Sequence, residues 1–221
     1  MNEILEFLKE LEVNNQRDWF DANRKRYEST KKTFLDLTAW LIAEIRKFDS
    51  EVPLMKPSDC MFRIFRDVRF SNDKRPFKSN YGSYIVRDGR KSGFAGYYLH
   101  LQPGECFIAG GNYMPSPEQL QAIRQEIYYH PQDYLELLTK EPFKSTFDVH
   151  YSDALKTAPK GYPREWEHID LIKNRSFGFG HNLKDEEVIA ADFPEQCVRF
   201  FRIIHPMNRF LNRAVDENIS G

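Results

Sequence analysis

The stretch from Met61 to Val86, MFRIFRDVRFSNDKRPFKSNYGSYIV, interleaves Arg63, Arg66, Arg69, Lys74, Arg75 and Lys78 with apolar and aromatic residues. From Arg63 to Lys91 there are nine Lys/Arg against three Asp, a local charge of +6 in a chain whose net charge is -1. Arginine presents a planar fork suited to carboxylate or phosphate, and lysine adds a mobile point charge. The pattern therefore points to a small anionic or phosphorylated ligand held by Arg63, Arg66, Arg69, Lys74 and Lys78. A second chemistry uses the acids: Asp67 or Asp73 as general acid or base of a hydrolytic or phosphate-handling enzyme, with the cations stabilising negative charge. Against it, neighbouring cations depress carboxylate pKa values and favour ionised structural partners. No nucleophile elbow or P-loop accompanies them. The bland alternative is a staple, in which Asp67 and Asp73 pair with these arginines and hold a loop. An interaction module for nucleic acid or protein is a further reading, since Phe65, Phe70, Phe77 and Tyr81 lie among the cations and aromatic rings stack on bases. No nucleic-acid motif supports it.

Other reactive side chains are scattered. His100 lies between Leu99 and Leu101, and His181 follows Phe177-Gly178-Phe179-Gly180; both read as satisfied or surface histidines, with no Ser or Cys partner evident. His130 and His205 each precede a proline and read as element boundaries. The six histidines show no ligand spacing, which argues against a metal, and no cofactor is indicated. Gly110-Gly111 lacks a dinucleotide fingerprint and reads as a turn. Cys60, Cys106 and Cys197 are odd in number and widely spaced, which suits a reducing cytoplasm better than a disulfide framework.

Apolar spacing supplies the elements that must position these groups. Ile4, Leu5, Phe7, Leu8 and Leu11 predict a short amphipathic helix. After Asn14-Asn15, with Asn15 as the cap, a long helix carries Trp19, Phe20, Asn23, Tyr27, Phe34, Leu37, Leu41, Ile45 and Phe48. It is expected to bend or break near Ser29-Thr30. Trp19 and Tyr27 read as core, and Asn23 as a locally bonded anchor more than a pocket residue. From Met61 the period changes to two, which predicts a strand or extended segment to Phe70, followed by an ordered loop to Asn80. Strands are expected over 83–87, 94–101 and 105–109, with a turn at Asp88-Gly89 and a hairpin at Pro103-Gly104. In the second of these, Phe94, Gly96, Tyr98 and His100 share one face; Ala95, Tyr97, Leu99 and Leu101 share the other. Ser116-Pro117-Glu118-Gln119 starts a helix to about Tyr129. Further helices are expected at 131–138 and 166–172, strands at 147–151 and 175–181, and a last helix from Pro194 that kinks or divides at Pro206.

Hydrophobic residues make up 41% of the 221 and charged residues 29%, with 18 Phe and 11 Tyr for a large core. No apolar run approaches the roughly 20 residues that span a bilayer, and MNEILEFLKELE lacks the basic start of a signal peptide. The pattern predicts one α+β domain over 1–221: an antiparallel sheet packed with a long N-terminal helix and the C-terminal helices. The segments FLKELEVNNQRDWFDANRKRYE, RIFRDVRFSNDKRPFKSNYGSYI, GYYLHLQPGECFIAGGNYMPSPEQLQAIRQEI and KNRSFGFGH resemble domain-of-unknown-function family 2461, a mostly bacterial group of soluble proteins of about this length. The likeness runs from about Phe7 to Leu211, and the pattern from Arg66 to Lys78 is its most specific part. The resemblance implies a single-domain member and no particular activity, cofactor or catalytic residue.

Overall fold

The structure is a computed structural model, and it describes residues 1–149 and 154–219. In chain order the helices are α1 (Asn2–Val13), α2 (Arg17–Ala22), α3 (Arg24–Ile45), α4 (Pro57–Cys60), α5 (Pro117–Tyr129), α6 (Pro131–Thr139), α7 (Phe143–Thr146), α8 (Ile169–Ile172), α9 (Asp185–Ile189) and α10 (Phe193–Ile219). The strands are β1 (Tyr81–Ile85), β2 (Gly96–Leu101), β3 (Cys106–Asn112), β4 (Asp148–Val149) and β5 (Phe177–Leu183). They follow the order β1-β2-β3-β5-β4 in an antiparallel sheet, and the class is α+β. Of the strand expected at 147–151, Asp148–Val149 forms β4, Phe147 is the C-cap of α7, and His150 and Tyr151 lie outside the described residues.

The chain forms two compact units. The first comprises Met1–Ile85, Tyr98–Ile108 and Asn182–Arg199. Here α1 buries Ile4, Leu5, Phe7, Leu8 and Leu11, the stripe its spacing predicts. The following helix breaks at Asn23 rather than at Ser29-Thr30. Asn23 has left helical geometry there (φ -102°, ψ 14°) and its amide donates to Trp19 O at 2.9 Å, the local bond expected of it. Asn15 does not cap a helix. Its amide instead grips the Phe77 peptide in both directions, donating to Phe77 O and accepting from Phe77 N, each at 3.0 Å. That places Phe77 flat on Phe20, with ring centroids 4.0 Å apart. Tyr81, fully buried, joins Phe34 and shares a hydrogen bond with Thr30 at 2.9 Å.

The second unit comprises Val86–Tyr97, Ala109–His181 and Phe200–Gly221. Asp88 and Gly89 both have positive φ (59° and 85°), the primed turn that their types favour. α5 opens on a full capping box between Ser116 and Gln119. Arg124, buried in α5, donates to Ile172 O (2.8 Å) and Asn174 O (3.0 Å), so its guanidinium satisfies carbonyls at the end of α8. α10 runs through Pro206 as one element instead of dividing there. Two buried amides one turn apart fasten it to the backbone of β2, of β3 and of Ala95 just before β2. Asn208 accepts from Gly111 N (2.8 Å) and donates to Gly96 O (3.0 Å), while Asn212 accepts from and donates to Ala95 (2.7 and 3.1 Å). Gly111 is required at its site, since φ is +93° and a Cβ would stand 2.0 Å from Phe177 O.

Candidate functional site

The basic segment is not a regular strand. Met61 to Arg66 runs antiparallel to Pro76 to Ser83 through isolated bridges, Met61 with Ser83 and Phe65 with Phe77. Phe62 N donates to Gly82 O, Lys78 N to Ile64 O and Arg66 N to Pro76 O, at 2.8 to 2.9 Å. The period-two pattern thus reports an extended arm without continuous pairing. Ile64 and Met61 are buried, but Phe65 is half exposed and packs its ring edge on Phe20.

The loop between the arms spends most of its charge on itself. Asp73 accepts from both Arg66 and Arg75, and the Arg75 backbone N–H donates to it at 3.0 Å. Those guanidiniums, Arg75 foremost, hold the Asp73 carboxyl well below the usual carboxylate range. Asp67 repeats the arrangement two residues before Arg69, with side-chain bonds of 2.6 and 2.9 Å and a backbone bond of 3.3 Å, and its pKa is likewise lowered, first by Arg69. Lys74 Nζ donates to Val68 O at 3.1 Å. Arg63 is exposed. Phe70 is 95% exposed, with the Arg69 guanidinium 5.9 Å from its ring centre. The five expected ligand residues therefore have different surroundings: Arg66, Arg69 and Lys74 each engage their own loop, whereas Lys78 points elsewhere.

Lys78 Nζ lies 5.7 Å over the ring of Phe62. Phe62 meets Tyr98 edge-on at 6.1 Å, and Tyr98 contacts Tyr84 (6.4 Å) and Phe107 (5.5 Å). These side chains are all half-buried, on the face of β1, β2 and β3 opposite the buried Tyr97, Leu99 and Leu101. His100 stacks on Phe107 at 4.6 Å, and its Nδ1 is 2.9 Å from the Tyr98 hydroxyl. Its Nε2 is 3.3 Å from Gln102 Oε1, and Gln102 Nε2 donates to Glu105 at 2.5 Å. Asn80 Nδ2 reaches Gln102 Oε1 at 3.5 Å. Gly82 makes room for this system, because a Cβ there would stand 2.7 Å from the Tyr98 hydroxyl. Burial raises the Tyr98 pKa to about 12, so the phenol keeps its proton. Burial lowers the His100 pKa, and nearby Lys78 lowers it further, while Gln102 and Glu105 act the other way. The alternation of Tyr98 and His100 was visible in the sequence. What the sequence lacked was the neighbour across the strands: a glycine, a phenylalanine and a lysine brought alongside from residues 62 to 82.

Among the other histidines, Nδ1 of His181 donates to Thr146 O (2.7 Å), and His205 Nδ1 is 2.8 Å from the Tyr97 hydroxyl. His130 is the junction of α5 and α6, as its following proline suggests, but His205 lies inside α10 and marks no boundary. No group of three or more His, Cys, Asp or Glu is placed to hold a metal among the described residues. The three cysteines are buried and form no disulfide. A depression of about 430 Å³ lies over Glu3, Glu6, Lys25, Arg26, Ser29 and Thr30. There Arg26 is already committed to Glu10 at 2.7 and 3.0 Å. No helix among the described residues is long and apolar enough to cross a membrane.

No curated protein and no solved structure matches the chain. The family of conserved hypothetical proteins DUF2461 matches residues 3–210, and the chain belongs to that family.

Proposed function

We propose that the half-buried face carrying Phe62, Lys78, Tyr98, His100 and Phe107 binds a small anionic ligand with a planar apolar part. What carries the reading is the position of Lys78, whose ammonium stands over Phe62 beside the hydrogen-bonded Tyr98 and His100. Ring surfaces offer stacking to a flat group, and a cation in partly desolvated surroundings offers a charge-assisted hydrogen bond to carboxylate, sulfonate or phosphate. Arg63 adds long-range attraction from an exposed position. In this reading Arg66, Arg69 and Lys74 shape the loop, because their donors are met within it.

The hydrolytic alternative gains less support. Asp67 and Asp73 are ionised partners of arginines, and a carboxylate held so far below its usual range is a poor acid and a weak base near neutral pH. A nucleic-acid or protein contact at the exposed Phe70 is a second use of the same loop, supported by that ring's exposure beside Arg69. A cytoplasmic, single-domain protein is part of the proposal, and three buried cysteines that form no disulfide support its location.

The test is a thermal-shift series with phenyl phosphate, benzenesulfonate, inorganic phosphate and benzyl alcohol. A ligand at about 100 times its dissociation constant adds about 2.7 kcal/mol, or about 5 to 10 °C in a chain of this size. The ring-bearing anions are expected to raise the melting temperature most. Equal shifts with benzyl alcohol would remove the role of charge, and no shift with either ring-bearing anion would remove the site.

A further inference from the structure

The order of donors and acceptors along Tyr98, His100, Gln102 and Glu105 has a consequence for that site. A carboxylate only accepts, so Glu105 fixes which end of the Gln102 amide faces it: the NH₂ group, at 2.5 Å. The Gln102 carbonyl oxygen is thereby turned to His100 Nε2 at 3.3 Å, and a carbonyl oxygen also only accepts. Nε2 must then carry a proton. In a neutral imidazole this leaves Nδ1 as an acceptor, and the Tyr98 hydroxyl 2.9 Å away spends its proton on it. Tyr98 then shows only oxygen lone pairs to a ligand, which repel an anion. If His100 gains a proton, Nδ1–H becomes a donor, the Tyr98 oxygen accepts from it, and the hydroxyl proton swings free to donate outward.

We propose that His100 is a proton-linked switch for this face: anion binding takes up one proton on the imidazole and reverses the Tyr98 hydroxyl from acceptor-facing to donor-facing, with Gln102 and Glu105 as positioning residues. The proposal rests on the binding reading above and adds its regulation by pH. The charged and titratable groups facing His100 are Lys78, Glu105 and Tyr98. Burial and Lys78 both disfavour the imidazolium of the ligand-free protein, which biases the switch toward its off state. A bound anion beside Lys78 offsets that cation and favours the imidazolium. Proton balance is simple: one proton moves from solvent to Nδ1, and the Tyr98 proton stays on its own oxygen. The expected linkage is an affinity that rises by up to about tenfold per pH unit as pH falls between the pKa values of the bound and free protein.

Benzenesulfonate is the probe, since its charge does not change between pH 5 and 8 and any pH dependence belongs to the protein. Titration calorimetry across that range is expected to show affinity rising toward acid, with net proton uptake revealed by the buffer dependence of the heat. His100→Asn is expected to flatten the pH profile. Glu105→Gln removes an exposed carboxylate, and it is expected to move the profile to lower pH and to mix the His100 tautomers. Nitrogen-15 NMR of the ligand-free protein at pH 7.5 reads the tautomer directly, and Nε2–H is expected. The Nδ1–H tautomer would overturn the chain of donors whatever binds. Binding that is flat with pH would overturn the switch and leave the binding reading standing. No binding at any pH, with the expected tautomer present, would remove the binding reading and the switch's function with it.

Discussion

Asp73 sits between two guanidiniums and also accepts the Arg75 backbone N–H, so one carboxylate organises the turn of the loop. Asp73→Ala is expected to release Arg66 and Arg75 together, and Asp73→Asn to keep the backbone contact while losing the ion pairs. Hydrogen exchange of the amides from 66 to 76 should therefore quicken more in the alanine variant than in the asparagine one, with exchange in α1 and α3 unchanged. Equal protection in both variants and wild type would show that the loop holds itself by backbone alone. The staple is partly legible in the sequence, because Asp67 and Asp73 are each followed two residues later by arginine, the spacing of an aspartate turn closed by its own ion pair. The count of nine cations does not reveal it, since a sum of charges says nothing about where each one points. Lys78 differs from the loop cations in standing over the ring of Phe62.

At the scale of elements, apolar spacing reveals α1 and α5 closely, and the course of α3 and α10 without the break at Asn23 or the continuity through Pro206. One misreading has its origin far along the chain: Asn15 looks like a cap but serves Phe77, 62 residues away. The segment from Met61, expected as a strand or extended segment, is extended and meets only isolated bridges. The paired amides of α10 carry a signal that was available, two Asn at four-residue spacing within an apolar stripe, where a polar side chain must find partners. Asn208 serves backbone of both β2 and β3 from a position 1% exposed. Asn208→Ala withdraws both bonds inside the core, at a cost of about 2 to 4 kcal/mol. Thermal denaturation should show a fall of about 5 to 10 °C. A change under about 1 °C would mean that the strand backbone finds equivalent partners without the amide.

For the whole molecule, a net charge of -1 and a pI near 6.6 leave no general attraction for polyanions, so anion binding has to be local. The same shifted groups set the pH dependence of stability. His100 has its pKa depressed on folding, so its contribution is complete above the unfolded value near 6.5 and is lost as pH falls through the lower folded value. Glu10, Asp67, Asp73 and Glu118 are also depressed, each by hydrogen bonds, and their contributions persist above about pH 4 and disappear below it. Melting temperature is accordingly expected to decline in two stages on acidification, a shallow one below about pH 6.5 and a steeper one below about pH 4. His100→Asn should remove the first stage and keep the second. A first stage that survives this substitution would assign it to another histidine. The α+β class and the family were legible from patterns spread along the chain. The binding face was not, because it forms only when residues from Phe62 to Gly82 come alongside Tyr98 and Phe107.

The most direct test of the account is calorimetric titration of benzenesulfonate into wild type and Lys78→Met at pH 6. Methionine keeps an apolar stem of similar length over Phe62 and deletes the charge. Loss of one charge-assisted hydrogen bond predicts affinity lower by about 10- to 100-fold in a variant that still unfolds cooperatively. Equal affinity in the two proteins would contradict the account and leave the basic segment as a scaffold for its own loop.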